Sequence, residues 1–425
     1  MHQMTIFDEE DDINLGAPVE APEEVQNAWR KAKQTMKRNF TKLQEMDYEA
    51  KLYRQEGIAQ EFLVECRKMG KNCHVSVGGL DSIVLYIWLI SIGIKVPGIT
   101  VSSLEDKGNQ RVHKALGLTF VKSYKTKTQV LQECGFPVIS KKIAGRINLL
   151  QNPTEKNKTV RHAIITGECG ALGHFAKNSR MKLPDKWLRL FGGYENENEG
   201  VGYLKPDFKV SNDCCYWLKE KPCDDWAKQH NSYPYLGIMA SEGGQREEAL
   251  IEHGCNYYGK DTVRSAPFAI FMRNDILRLA LEMDKYYHEH LDIFEDLYFQ
   301  QPYSKGTKYE PVESIVPTAY GEIRQKENGD YYTTRAQRTG CSMCGFGIHL
   351  EERPHRFDIL REDNPKEWEY YMYKCCTDEN GNKFGWGKVL DYIGVSWEDI
   401  PPEQMTIDDW MKGWEAEHGE DNAER

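Results

Sequence analysis

The sequence holds no apolar run near the roughly 18 residues of a membrane span. It opens on the acidic FDEEDD rather than on the basic and then apolar pattern of a secretory leader. It has no internal repeat, no GxxxxGK[ST] phosphate loop and no GxGxxG dinucleotide turn. Positive charge is not in excess. The 55 Lys and Arg face 66 Asp and Glu, a formal net charge of −11, which argues against a general binder of nucleic acid backbone. A nucleic acid acceptor is therefore left open but not indicated by charge. The expectation from these absences is a cytoplasmic protein with no membrane association.

Cysteine is present, twelve times in 425 residues. In a reducing cytosol and a chain this long, these residues are not read as disulfide staples. Six fall into close pairs: Cys214-Cys215, the CxxC of Cys341 and Cys344, and Cys375-Cys376. Cys66, Cys73, Cys134, Cys169, Cys223 and Cys255 are scattered and read as small buried hydrophobes.

The length suggests two unequal domains. Residues 1–22 form an acidic lead expected to be disordered. Residues 23–70 carry helical spacing and predict two helices. From 71 to 290 strand-like and helix-like segments alternate: NCHVSV, DSIVLYIWLISIG, VPGITVSS, EDKGNQRVHKALG, LTFVKSY and TKTQVLQECG. A polar interruption at about 151–205 includes FGGYENENEG, and a further strand is expected at about 234–240. Such alternation predicts an α/β domain, a Rossmann-like parallel sheet with helices on both faces. Residues 291–425 are aromatic and irregular and read as a cysteine-bearing C-terminal domain; the Tyr and Trp of 366–397 read as its core.

Within HVSVGGLDSIVLYIW (74–88) a buried strand runs through two glycines directly into a helix. Glycine permits unusual dihedrals and close approach of a ligand, and the helix start attracts anions. Ser76, Gly78, Gly79, Leu80, Asp81 and Ser82 are thus candidates for a nucleotide phosphate site. Asp81 there is read as holding Mg²⁺ or capping the helix. In ASEGGQREEAL, Ser241, Gly243 and Gly244 form a candidate second anion turn, with Arg246 reaching over it. Lys141 and Lys142 are candidates for a substrate phosphate or a solvated face, and His349 is a weaker candidate near the CxxC.

GGLDS after a first strand resembles the SGGxDS loop of the adenine nucleotide alpha-hydrolase (PP-loop) superfamily, with Val77 in place of the first serine. FPVISKKIAG (136–145), FKVSNDCCYWLKEKP (208–222), LGIMASEGGQREEALIEHGCN (236–256), RTGCSMCGFGIHLEERPHRF (338–357) and FGWGKVLDYIGV (384–395) together resemble the phosphoadenosine phosphosulfate reductase family, in its uncharacterised bacterial and phage branch.

The resemblance implies an adenine nucleotide as substrate, with Mg²⁺, and Asp81 and Ser82 as catalytic residues. It also implies a 4Fe-4S cluster on Cys214, Cys215, Cys341 and Cys344, with Lys219, Lys221, Arg335 and Arg338 offsetting its charge; zinc is the alternative, although adjacent cysteines strain to chelate one tetrahedral ion. The implied activity is activation of ATP at its alpha-phosphate, adenylation coupled to sulfur transfer, with a sulfur donor or redox protein as partner. Reduction of adenylylsulfate or its 3′-phosphorylated form is one alternative, and a non-catalytic nucleotide-binding accessory protein is another. Three departures weigh against the reductase: Val77 in the phosphate loop, Met239 where the family has arginine, and the tail QMTIDDWMKGWEAEHGEDNAER, which lacks the family's nucleophilic cysteine.

Overall fold

A computed structural model describes residues 23–168, 181–193, 202–337 and 340–398. The acidic lead, Cys169, Arg338, most of FGGYENENEG and the cysteine-free tail lie outside these described residues.

The fold is mixed α/β, built on a mostly parallel sheet flanked by helices. Helices α1 (Glu23–Gln44) and α2 (Tyr48–Lys68) precede strand β1 (Asn72–Ser76). Then come α3 (Leu80–Ser91), β2 (Gly98–Thr100), α4 (Lys107–Ala115) and β3 (Thr119–Phe120). The other strands of the sheet are β5 (Ser232–Leu236), β6 (Asn256–Tyr258) and β7 (Val263–Ser265); β4 (Val138–Ile139) lies outside it. The strand order is β3-β2-β1-β5-β7-β6, parallel throughout except that β6 runs against β7. The periodicity missed that β6–β7 edge, because three-residue strands leave too short a pattern.

Helix α3 is apolar around its whole circumference: Leu80 and every residue from Ile83 to Ile90 are buried. Such a helix has to be covered on all sides, and a helix beginning at Arg273 and ending at Glu289 packs across it. No described helix is long and apolar enough to cross a membrane.

From β1 the chain steps outward to β2 and β3. It then makes an excursion of more than a hundred residues and returns on the other side of β1, as β5. Connections thus leave the adjacent ends of β1 and β5 in opposite directions. In open parallel sheets a crevice forms at such a reversal, outside the carboxyl ends of the strands.

Packing runs across the expected boundary near 290. One core takes residues from Phe40 to Leu118 together with residues from Tyr235 to Tyr320. A second joins residues of the excursion, Leu131 to Val210, to Met343 through Trp397. Between them, Val101, Leu104, Val130, Cys214 and Leu218 form a small third cluster.

His74 on β1 shows what burial in this sheet costs a titrating group. Its Nδ1 lies 2.8 Å from Ser232 Oγ, and it is 1% exposed. Burial, with some repulsion from His230, pushes its pKa down from 6.5 to about 3. Between those values the unfolded chain binds a proton that the folded chain refuses, so stability falls as pH drops through the window. In urea titrations the slope of stability against pH should be shallower in His74→Gln, by as much as about 1.4 kcal/mol per pH unit; identical slopes would contradict this.

Candidate functional site

The crevice holds a cavity of about 230 Å³. Ser76, Gly79, Asp81 and Ser82 line one wall, from the end of β1 and the first turn of α3. Leu236, Gly237 and Ile238, from the end of β5, line the facing wall. The two ends come this close because of Gly237, where a Cβ would sit 2.8 Å from Ser82 Cα and 2.9 Å from Ser82 N.

The glycine loop closes on itself. The Gly78 N–H donates to Ser82 Oγ (2.8 Å), and the Ser82 hydroxyl donates to the Gly79 carbonyl (2.9 Å). The Gly78 carbonyl accepts from His113 Nε2 (2.7 Å), which leaves His113 Nδ1 to accept from Ser102 Oγ (3.1 Å). Burial first of all keeps that imidazole below its ordinary pKa, consistent with this neutral tautomer.

Two expectations for the loop are corrected. Unusual dihedrals are not what needs glycine here: Gly79 has φ −83° and Gly78 is not left-handed. A Cβ on Gly78 would make only ordinary contacts, 3.7 Å to Glu105 Oε1 and 4.0 Å to Lys219 Nζ. The protein itself therefore tolerates a side chain at 78, and what bare backbone leaves there is room for close approach. Nor does Asp81 cap α3, since the N-cap is Gly79. Asp81 Oδ1 instead accepts from Arg273 Nη1 (2.7 Å). Arg273 Nη2 also donates to the Gln337 carbonyl (3.0 Å), and the guanidinium lies 5.7 Å from the centre of the Tyr320 ring.

Of the second turn, Arg246 reaches the cavity, ion-paired to Glu242. Gly243 (φ +74°) and Gly244 (φ +65°) are left-handed, as the turn requires. Ser241 is not brought to the cavity; its hydroxyl donates to the Phe271 carbonyl (2.9 Å). The Leu80 side chain is fully buried, and only its N–H faces this region, 3.4 Å from the Tyr320 hydroxyl. Met239, at 2% exposed, is a core residue.

The four cysteines singled out in the sequence come together where the two cores meet. Cys214 and Cys215, with sulfurs 3.9 Å apart, lead into a π-helical turn, Tyr216–Glu220, closed by the Lys221 N–H on the Tyr216 carbonyl. Such turns are rare and frequently found at functional sites. Cys341 and Cys344 flank Met343, whose φ is +65°. Just beyond, strands β8 (Ile323–Gln325) and β9 (Tyr331–Thr333) having formed a hairpin earlier, β10 (Gly345–Phe346) pairs in parallel with β4. Its partner Ile139 has φ +70°. Two bulky residues in left-handed conformation beside one CxxC are strain the surrounding packing must hold in place.

The thiols act on one another. Burial pushes Cys341 up to about 12 and also raises Cys344, with Cys215 adding to both. Cys214 is raised by its hydrogen bond to Cys215 and by burial. Cys215 is the one held down, by the bond from Cys214 and by the ammonium groups of Lys141 and Lys219. Lys219 also ion-pairs with buried Glu105, beside Gly78, so it lies between the glycine loop and the thiols. Lys141 lies 3.5 Å from Glu220 and is close enough to Arg246 for their charges to oppose.

Other expected neighbours are elsewhere. Lys221 pairs with Asp225, Arg335 with Glu362 and Asp363, and His349 packs on Trp187. Cys375 and Cys376 are buried in the second core. Among the described residues, no three His, Cys, Asp or Glu side chains are grouped so as to hold a metal ion.

No role is assigned from the sequence to Arg273, Tyr320, Gln337 or Gly237. A glycine at a strand end opposite another glycine loop is a usable signal; the other three belong to no motif and are distant in the chain. The chain matches no family model, no curated protein and no solved structure.

Gly237→Val should force β5 and α3 apart. The expected cost is about 1–3 kcal/mol, as for other overpacked sites, read by chemical denaturation; wild-type stability would show that the contact is not tight.

Proposed function

We propose that this chain is a cytoplasmic ATP-using enzyme of the PP-loop type, similar to the phosphoadenosine phosphosulfate reductase family, that activates its nucleotide at the alpha-phosphate and couples adenylation to sulfur transfer. The observation that carries the reading is the cavity at the strand-order reversal, with a bare glycine loop on one wall and Arg246 and Arg273 on its rim.

In this reading the N–H groups at the start of α3 and the two guanidinium groups receive phosphate oxygens, charge-assisted bonds of the stronger kind. Mg²⁺ enters with the nucleotide. Arg273 holds Asp81 in place until phosphate competes for it, and Ser82 shapes the loop through its own two bonds.

Cys214 and Cys215, with Cys341 and Cys344 from the C-terminal domain, are proposed to hold a 4Fe-4S cluster, which supplies one-electron chemistry when bound. What favours this set is its chemistry: four thiols whose charges bear on one another, with Lys141 and Lys219 beside Cys215. Zinc is the alternative, although adjacent cysteines strain to chelate one tetrahedral ion, whereas thiolates on a four-iron cluster each take a different iron.

The reductase reading loses ground. Met239 is in the core, and the spare thiols of Cys375 and Cys376 are buried away from the cavity. Among the described residues no cysteine lines the cavity, and a covalent sulfonyl intermediate needs a thiol at the nucleotide.

Calorimetry with ATP and Mg²⁺ tests the nucleotide site. Gly79→Val should lower affinity by at least tenfold, about 1.4 kcal/mol, while the variant stays folded; unchanged affinity would sink the assignment. Anaerobically purified protein should contain iron and sulfide and lose both in Cys344→Ser, and stoichiometric zinc would decide for the rival. Supplied with adenylylsulfate or its 3′-phosphorylated form plus thioredoxin, the loaded protein should release no sulfite. Turnover to sulfite would establish the reductase instead.

A further inference from the structure

Helix α4 and the stretch 308–318 meet at two places. A Cβ on Gly108 would lie 2.5 Å from Thr318 Oγ1, so the two segments touch there, and at the far end the Tyr309 hydroxyl donates to the Ala115 carbonyl (3.1 Å). Between these contacts their lengths do not match. The seven helical steps from Gly108 to Ala115 advance about 10 Å, whereas the nine steps from Tyr309, outside any helix or strand until Thr318, can span up to about 30 Å. The stretch therefore bows away from the helix. It is held open from behind by the helix Arg273–Glu289: the Val312 N–H donates to the Tyr287 hydroxyl (3.3 Å), the Ile315 N–H to Asp284 Oδ1 (2.7 Å), and the Glu313 carbonyl accepts from His288 Nε2 (3.0 Å).

The bow encloses a cavity of about 650 Å³, larger than the one of about 230 Å³ at the glycine loop and of the size that takes a small molecule. Its floor is apolar, with Val112, Ala115 and Tyr298 buried and Val312 and Val316 half-buried. Its two walls carry opposite charges that do not meet. Arg111 and Lys114 stand on the helix and Glu310 and Glu313 on the bow, all exposed, and none makes an ion pair or side-chain hydrogen bond with a described residue. Lys308 adds a cation at the Lys114 end, where Lys114 Nζ lies 6.0 Å from the centre of the Tyr298 ring and the Tyr298 hydroxyl lies 3.4 Å from the Lys308 carbonyl. The N–H groups of Glu310 and Glu313 are likewise without a partner among the described residues.

We propose that this cavity binds a small zwitterion, an amino acid or short peptide with apolar side chains. Opposite charges held apart over an apolar floor complement a molecule that has two charges of its own and an apolar body. The carboxylate goes to the planar fork of Arg111 and to Lys114, the ammonium to Glu310 and Glu313, and the side chains lie on the valines and the Tyr298 ring. A ligand of one sign only would leave the like-charged wall facing it. No lining residue is shared with the cavity at β1 and β5, so this site stands or falls independently of the nucleotide's.

The test is isothermal titration calorimetry of the full chain with leucine and with trileucine. At least one should bind with saturable heat, leucine alone assigning an amino acid site and trileucine alone a peptide site. The amide of the bound compound lacks the carboxylate and its N-acetyl form lacks the ammonium; each should bind more weakly by about tenfold or more. Arg111→Met should weaken the zwitterion by a similar factor while leaving the amide's affinity unchanged, and Glu313→Gln should weaken it while sparing the N-acetyl form. Both side chains are exposed and unpaired, so each variant should keep the wild-type Tm without ligand, which separates a lost contact from a lost fold. No binding of either zwitterion at millimolar concentration would overturn the proposal. So would binding that survives capping of either end, or both substitutions, unchanged.

Discussion

The site depends on one close approach, the end of β5 against the first turn of α3. Without a side chain at 237, two parallel strand ends converge on a helix start and bring the GG turn and the Arg246 turn to face each other across one cavity. Any Cβ there would push Ser82, and with it the bonds by which Ser82 closes the glycine loop, out of register. The rest of the sheet positions this contact. Parallel pairing aligns Ser76 with Leu236, and the reversal of strand order clears connections from above them.

The same reversal explains where the cysteines are. The long excursion between β3 and β5 builds half of the second core, and the chain after 343 returns to build the other half. The two cysteine pairs come from those two halves and meet at the seam, where the pairing of β4 with β10 locks them. Glu105 and Lys219 fill the ground between thiols and glycine loop. Burial would raise the pKa of Glu105, but the Lys219 ammonium, with smaller help from His113 and Lys127, holds it below its ordinary value. Charge placed at the thiols is thus sensed within a few ångströms of the loop, through side chains of this chain alone.

Much of this was legible in the sequence, and for local reasons. The alternation from 71 to 134 gave β1, α3, β2, α4 and β3 in order because each is a short segment with its own period and turn signal. The GG turn and the cysteine pairs were visible as motifs. The partners of those motifs were not. Arg273 meets Asp81 across 192 positions, brought there by the packing of its helix over α3, and Tyr320 arrives in an irregular segment that joins the first core. Nor could the sequence show that the second core is made of two stretches with the β5–β7 half of the sheet between them. A linear reading sees composition change along the chain, not which distant stretches share a core.

The central claim is that the reversal between β1 and β5 is where nucleotide binds, and hydrogen–deuterium exchange tests it most directly. Adding ATP and Mg²⁺ should slow exchange of amides in 77–83 and 237–246 together, with little change along residues 308–316, which do not line the cavity there. Protection confined to some other part of the chain, or no protection at either turn at saturating nucleotide, would contradict the account.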